Sequence, residues 1–388
     1  MKDETIHIIG AGPAGLAAAI NLAKAGYETI VHEKHDDVGN RFNNDFQGIE
    51  NWSSKEDAIT FLKKLGIQIN FFCAPYQNGT FFGPNLKGVE IKASRPLFYL
   101  IERGSGMGAF DQGLKAQALA AGVQFKWNDD VQKLPGGKTI VSTGPKAADV
   151  IAKGIIFKTS HEDGYYGFLD DHVAPKGYAY LLINDEKATF ATCIFEDFRN
   201  SLNYFERALA MMQKTVDIDI QEAVPFGGYG NFFLPEARRK TDKALYVGES
   251  AGFQDALWGF GIRYALLSGY LAAKSIIDGE DYDQLTNQYI LPSQKASLAN
   301  RLVFDRLGNW GYKRMLRRVN RSDDVIGILQ NYHHLSFSRK FLFWLAKRWY
   351  HTRLIDKQCM HVNCNCIWCR CGKNGDTSKA EFDRIMIA

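Results

Sequence analysis

Three stretches of this chain hold residues whose types and spacing suit chemistry. The first is Gly10-Ala11-Gly12-Pro13-Ala14-Gly15, which follows the apolar run Ile6-His7-Ile8-Ile9 and leads into the small-residue helical run Leu16-Ala17-Ala18-Ala19-Ile20. A second apolar run, Glu28-Thr29-Ile30-Val31, ends beside Glu33. Gly10 permits a tight turn, Gly12 lets backbone N–H groups approach a pyrophosphate, and Gly15 lets the helix lie close on the strand. The helix N-terminus adds partial positive charge for the phosphates. Glu33, roughly twenty residues on, stands where a carboxylate accepts hydrogen bonds from a ribose. Strand, glycine turn, helix, strand and acid together predict dinucleotide binding; the competing reading is a glycine-rich turn with no ligand.

The second stretch, Val247-Gly248-Glu249-Ser250-Ala251-Gly252, follows the apolar run Ala244-Leu245-Tyr246 and precedes Gly259-Phe260-Gly261-Ile262. It repeats the strand-to-glycine style of the first. The third stretch crowds Cys359, Cys364, Cys366, Cys369 and Cys371 around His361. Thiolates that close can turn inward from one short loop onto zinc or an iron–sulfur cluster, and the spacing does not separate the two. Disulfide-prone or merely reactive thiols are the alternative.

The elements that must position these residues fit a two-domain protein. The chain has 388 residues, 46% hydrophobic and 13% aromatic, which implies a folded protein with more than one core. A net charge of +4 is too small to indicate nucleic acid. No apolar run approaches the roughly 20 residues that span a bilayer. The acidic start running straight into a strand is unlike a signal peptide, and with the glycine turn this favours the cytoplasm, where Cys73 and Cys193 stay reduced. Asp37-Val38-Gly39-Asn40-Arg41 leaves the second strand where it would pass over a bound phosphate. Phe110-Asp111-Gln112-Gly113-Leu114 through Ala121 reads as a helix ending at Gly122, with Val123-Gln124-Phe125 the next strand and Ile140–Gly144 another. Tyr178–Ile183 and Ala188–Thr192 flank Asn184-Asp185-Glu186 as a β-hairpin. A helix is expected over Ser54–Leu65 and a long one from Gly261 to about Ile277. The fold class is therefore α/β: a Rossmann-like parallel-sheet dinucleotide domain from residues 1–50, 96–150 and 241–285; an antiparallel-sheet substrate domain from 51–95 and 151–240; and a helical C-terminal region, 286–388, carrying the cysteine cluster.

Three separated motifs resemble the single-cofactor FAD proteins with the aromatic-hydroxylase fold, and within them the geranylgeranyl reductase family. They are Gly10-x-Gly12-x-x-Gly15 with Glu33; Arg103 followed by Phe110-Asp111 and Leu114; and Val247–Gly252 followed by Gly259-x-Gly261-Ile262. Gly177-x-x-Tyr180 is similar, more loosely, to a strand motif lining that family's substrate cavity. The resemblance covers residues 1 to about 290. Glu249 replaces the family's usual Asp, Ala256 replaces the proline after Asp255, and Asn40-Arg41-Phe42 lacks the cysteine that some archaeal reductases carry there.

The resemblance implies FAD, held at its pyrophosphate and adenosine by Gly10, Gly12, Ala14, Gly15 and Glu33. It implies Glu249 and Gly248 at the ribityl chain, Gly144 among the cofactor-binding residues, and Gly259, Gly261 and Ile262 near the flavin, where the N-terminus of the following helix offers its dipole. Arg41 and Arg103 are candidates for phosphate or ribityl contacts; as surface arginines they would be equally ordinary. For Glu249, at a strand end, a cofactor role is favoured over a simple helix cap. The implied reaction is reduction of carbon–carbon double bonds in an isoprenoid or similar lipid by hydride transfer from reduced flavin, with a proton from a nearby acid or water. An unactivated alkene needs an apolar pocket that positions it tightly. Phe71, Phe72, Phe81, Phe82, Tyr165, Tyr166, Phe168, Tyr178, Tyr180 and Trp258 are candidates for its wall, or else ordinary core aromatics. Tyr180 and Trp258 are the catalytic candidates, expected to face the flavin. The alternatives are an FAD monooxygenase or halogenase, although no Trp-x-Trp-x-Ile-Pro signature occurs, and an electron-transfer or maturation flavoprotein acting on a protein partner. No second dinucleotide fingerprint is present, so electrons come from a transiently bound nicotinamide or a protein donor. The Arg- and Lys-rich C-terminal helices suit an acidic donor protein or an anionic membrane at the inner face, or are a solvated surface.

Overall fold

The computed structural model describes residues 2–145, 149–232, 239–241 and 243–354. The first stretch of chain forms β1 (Lys2–Ile9), α1 (Pro13–Lys24), β2 (Tyr27–His32), β3 (Asp45–Glu50), α2 (Ala58–Lys64), β4 (Ala74–Tyr76), β5 (Gly79–Phe82), β6 (Gly88–Ile91), β7 (Phe98–Arg103) and α3 (Phe110–Ala120). The middle forms β8 (Gln124–Lys126), β9 (Lys138–Val141), β10 (Val150–Lys158), β11 (Gly164–Phe168), β12 (Tyr178–Asn184), β13 (Lys187–Ile194), α4 (Ser201–Thr215), β14 (Gln221–Gly230) and β15 (Ala244–Tyr246). Helices follow: α5 (Ile262–Asp278), α6 (Tyr282–Tyr289), α7 (Leu291–Val319), α8 (Val325–His333) and α9 (Phe337–Leu354).

Among the described residues the strands make three sheets. The first runs in the order β15-β9-β1-β2-β8, with its neighbours parallel. Ile6, Ile8 and Ile140 on its strands and Leu16 to Ile20 on α1 are fully buried, as a parallel sheet covered by helices requires. Helix α5 lies directly on α1: a Cβ at Gly269 would sit 2.0 Å from the Ala14 carbonyl oxygen, so only glycine permits the approach. Because β1 and β15 run parallel in one sheet, their C-terminal ends share an edge, and the glycine bends after each emerge together.

The second sheet has seven strands in the order β14-β10-β13-β12-β11-β5-β6, antiparallel except between β11 and β5. The expected hairpin is present as β12 and β13, turning through Asp185 and Glu186, both with positive φ. Two positive φ values in a two-residue turn match the right-handed twist of the strands. Helix α4 covers one face through Phe205, Ala208 and Met212. The third sheet, β3-β7-β4, is tied to the second: Phe46 N–H donates to Thr189 Oγ1 on β13 at 2.9 Å.

The helix expected over Ser54–Leu65 starts later, at Ala58. Asp57 caps it, its carboxylate accepting from Ile59 N–H at 2.9 Å, while Arg95 holds the preceding residues as a loop by donating to the Asn51, Ser54 and Lys55 carbonyls. Further along, α7 breaks at Gly308, with φ 46° and ψ −138°. Cys359, Cys364, Cys366, Cys369 and Cys371 lie outside the described residues; among the described ones no group of three His, Cys, Asp or Glu is placed to hold a metal. No described helix is long and apolar enough to cross a membrane.

Candidate functional site

A single cavity of about 1050 Å³ runs between the parallel and antiparallel sheets. Gly10, Gly12, Ala14, Glu33, Arg41, Arg103, Gly144, Gly248, Glu249, Gly259, Gly261 and Ile262 line it, together with Tyr180 and Trp258. Of the expected cofactor residues described, only Gly15 lies behind the wall. The two glycine bends, more than 200 residues apart in sequence, thus open on one space.

Each glycine of the first bend has a separate physical reason. Gly10 has φ +101°, and a Cβ there would meet the Ser142 carbonyl oxygen at 2.4 Å. A Cβ on Gly15 would be 2.2 Å from the Gly10 carbonyl oxygen, so it sets the helix-to-strand distance. A Cβ on Gly12 meets no protein atom within 4 Å: the space it would enter belongs to the cavity. No side chain caps α1 at Gly12 or α5 at Gly261, so both helices point bare N-termini at the same space. Glu33 is buried, and its carboxylate accepts from Ala11 N–H at 2.8 Å and from His35 N–H at 3.1 Å. Those bonds fix the acid against the glycine turn and leave further lone pairs for a ribose.

The two arginines play different parts. Arg41 Nη1 donates to Glu249 Oε2 at 2.7 Å, and Nη2 donates to the Tyr229 carbonyl on β14. Its guanidinium also lies 4.8 Å from the Tyr229 ring centre. Burial opposes its charge, but the Glu249 carboxylate outweighs that and holds its pKa above the ordinary arginine value. Arg103 is not a surface arginine. It is 5% exposed and locked in a bidentate pair, Nε to Asp111 Oδ2 at 2.8 Å and Nη2 to Oδ1 at 3.0 Å. Asp111 Oδ2 also accepts from Gly104 N–H at 3.0 Å. Arg103 stacks 4.1 Å from the Phe42 ring centre, bracing the loop that carries Arg41.

Away from the glycine bends the lining turns apolar. Phe81, Tyr165, Tyr166, Tyr178, Tyr180 and Trp258 line it as expected, but Phe71, Phe72, Phe82 and Phe168 do not. Phe71 packs edge-on against Phe110 beside α3, Phe72 lies near Phe46, and Phe82 stacks on Phe168 inside the antiparallel-sheet core. Tyr178 Oη donates to the Trp258 carbonyl and its ring meets the Trp258 ring edge-on at 6.0 Å, tying the hairpin to the second bend. Burial raises the phenol pKa of Tyr178 and Tyr180 well above the ordinary value, so both stay protonated. The Cys193 thiol, opposite Tyr178 in the ladder and also lining the cavity, is pushed up to about 12 by burial.

Sequence reasoning missed part of the wall. Met315, Leu316 and Val319 of α7 and Leu329 and Tyr332 near the end of α8 close the apolar part. They belong to the stretch beyond the resemblance, where apolar spacing reads only as helix packing. A buried pair behind the cavity was also missed. Arg263 Nε lies 3.9 Å from Glu50 Oε1, both residues under 10% exposed, and Glu50 Oε2 has no partner. Burial pushes the Glu50 carboxyl up to about 7, with Arg263 opposing.

The site fits FAD on four observations of these residues: the open space at Gly12, the two bare helix ends, the oriented Glu33, and the unpartnered buried Gln254 Oε1 and Trp258 Nε1 beside the second bend. A Rossmann-like parallel sheet joined to an antiparallel sheet over one such cavity defines the geranylgeranyl reductase-like flavoprotein fold. Residues 8–51 match the NAD(P)-binding Rossmann-like domain family. The chain is 22% identical over 334 residues to a digeranylgeranylglycerophospholipid reductase from Methanococcus vannielii, covering 73% of this chain and 80% of that protein. A geranylgeranyl bacteriochlorophyll reductase-like protein from Thermoplasma acidophilum superposes with a TM-score of 0.66 at 16% identity, over 91% of this chain and 99% of that one. The flavin-dependent brominase Bmp2 shares the fold with a TM-score of 0.59 at 16% identity, over 90% and 99% of the two chains. The resemblance drawn from the three motifs therefore holds across most of the chain, not only at the N-terminal fingerprint.

Proposed function

We propose that this chain is an FAD-dependent oxidoreductase that reduces carbon–carbon double bonds of an isoprenoid lipid. The observation that carries the reading is the continuity of one cavity from a dinucleotide cradle, built of glycine bends and bare helix ends, into an apolar chamber. The name shared by the digeranylgeranylglycerophospholipid reductase relatives supports the lipid substrate.

In this reading Glu33 holds the adenosine ribose, the N-terminus of α1 holds the pyrophosphate, and Glu249, oriented by Arg41, accepts from the ribityl chain. The N-terminus of α5 at Gly261 faces the flavin with its positive end. When bound and reduced, FAD supplies a hydride equivalent to one alkene carbon. Trp258 and Tyr180 hold the alkene beside the second bend, and the protonated phenols of Tyr178 and Tyr180 keep protons at the cavity wall. Phe81, Tyr165, Met315 and Leu316 grip the hydrocarbon and exclude water, which an unactivated alkene requires.

The test is optical. Anaerobically purified protein should show flavin absorption, bleach with dithionite, and recover its colour when a geranylgeranylated phospholipid is added without oxygen. Recovery only on admitting air, with hydrogen peroxide or a hydroxylated product, would overturn the reading in favour of a monooxygenase.

A further inference from the structure

The outer surface of the C-terminal helices has no counterpart in the chemistry above. On α9, Ala346 and Tyr350 face inward and are 0% and 1% exposed. The opposite stripe is also apolar yet faces solvent: Phe337 is 90% exposed, Phe341 59% and Trp344 48%. A helix apolar on both sides leaves one side unpartnered, and large exposed apolar patches mark interaction sites.

Charge surrounds this stripe with one sign. From Arg306 to Ser322 there are six Lys or Arg and no Asp or Glu, and from Phe337 to Leu354 there are five and none. The cations interleave with the aromatics: Arg348 lies 3.9 Å from the Trp344 ring centre and Arg314 lies 5.6 Å from that of Trp310, itself 60% exposed. Asp305, between the two helices, is engaged by Arg301 and Tyr350. Aromatic rings among arginines in excess over acids complement a headgroup layer in which rings sit at the hydrocarbon boundary and cations meet lipid phosphates. An acidic protein would satisfy the cations but leave the phenyl stripe without a reason.

The position of α7 links this face to the site. Its Met315, Leu316 and Val319 line the apolar part of the cavity, while Trp310, Arg314 and Arg317 on the same helix are exposed. The helix wall of the chamber is therefore also the inner side of the basic aromatic face.

We propose that the exposed face of α7 and α9 docks on an anionic lipid bilayer, bringing the chamber to the surface from which a prenyl lipid enters. This deepens the lipid-reductase reading and rests on it for its purpose, but the docking is measurable without turnover. The experiment is vesicle flotation of the full-length, FAD-loaded protein. With phosphatidylcholine vesicles containing about one third phosphatidylglycerol the protein should float, with a blue shift in tryptophan emission; with phosphatidylcholine alone, or in high salt, it should stay down. The F341S/W344S variant should float roughly tenfold less, and K340E/R348E likewise, while both still reoxidise on detergent-dispersed geranylgeranylated phospholipid. Flotation by the variants equal to wild type, or failure of the wild type to float, would overturn the docking. An acidic ferredoxin-type protein binding this face in place of vesicles would overturn it too. If docking holds but dispersed lipid fails to reoxidise the flavin, it is the reductase reading that falls.

Discussion

Arg41 on the loop after β2 donates to Glu249 on the bend after β15, across 208 residues of sequence and 2.7 Å of space. The pair closes the cofactor end of the cavity and aims a carboxylate that is one methylene longer than the family's usual Asp. Arg41→Ala and Glu249→Ala should each lower FAD retention, read as the flavin-to-protein absorbance ratio after desalting. In the apoprotein their stability coupling should be small, about 1 kcal/mol or less in a double-mutant thermal cycle, because both side chains are partly exposed. A large coupling without any effect on flavin content would contradict the assigned role.

Gly12 and Gly15 separate binding from packing. Gly12→Ala places its methyl group in the cavity with no protein atom within 4 Å, so the apoprotein should melt as wild type yet retain less flavin. Gly15→Ala forces α1 away from the Gly10 carbonyl and should destabilise by about 3 kcal/mol whatever the cofactor content. Equal losses of melting temperature in the two variants would argue against an open cradle at Gly12.

Glu50 predicts a pH dependence with a definite sign. Burial raises its folded-state pKa from the ordinary 4.5 to about 7, so between those values the folded state binds the extra proton. Stability from this group is greatest below pH 4.5 and falls as pH rises toward 7. Glu50→Gln removes the ionisation, so its stability relative to wild type should improve by ~2 kcal/mol between pH 5 and pH 8. A gap between the two proteins that stays constant over that range would show that Glu50 titrates normally.

Tyr180→Phe and Trp258→Phe test the chamber. Tyr180→Phe removes only the hydroxyl and should leave flavin content and dithionite bleaching unchanged, whereas Trp258→Phe removes the unpartnered indole N–H beside the second bend and should lower flavin retention. Tyr180→Phe should slow anaerobic recovery with prenyl lipid by roughly tenfold to a hundredfold, as loss of a positioned proton carrier does. An unchanged recovery rate would assign the proton to another group.

Much of the cofactor side was legible in the residues because each local rule there points the same way. Gly10, Gly12 and Gly15 each answer one steric demand, and the Asp185-Glu186 turn announces its hairpin. Arg103 was placed by motif, but its pairing with Asp111 follows from the turn between β7 and α3, which no spacing specifies. The chamber was harder to read for a different reason. Met315, Leu316 and Val319 show the same apolar spacing whether they fill a core or border a void, and they follow a break in α7 at Gly308 that no periodicity marks. Phe71 and Phe168 are the converse: aromatics in the right neighbourhood that pack into solid cores, Phe168 by its place on β11 and Phe71 from the loop before β4 against Phe110.

The strand order β15-β9-β1-β2-β8 has a consequence for how the protein is made. The half-site after β1 is synthesised first, but the edge that completes it is the last strand of its sheet to leave the ribosome, followed by the helix that lies across α1. Vitamin capture must therefore wait until about 280 residues have emerged. Any nascent or truncated product ending sooner carries a recognisable fingerprint and no ability to keep its prosthetic group.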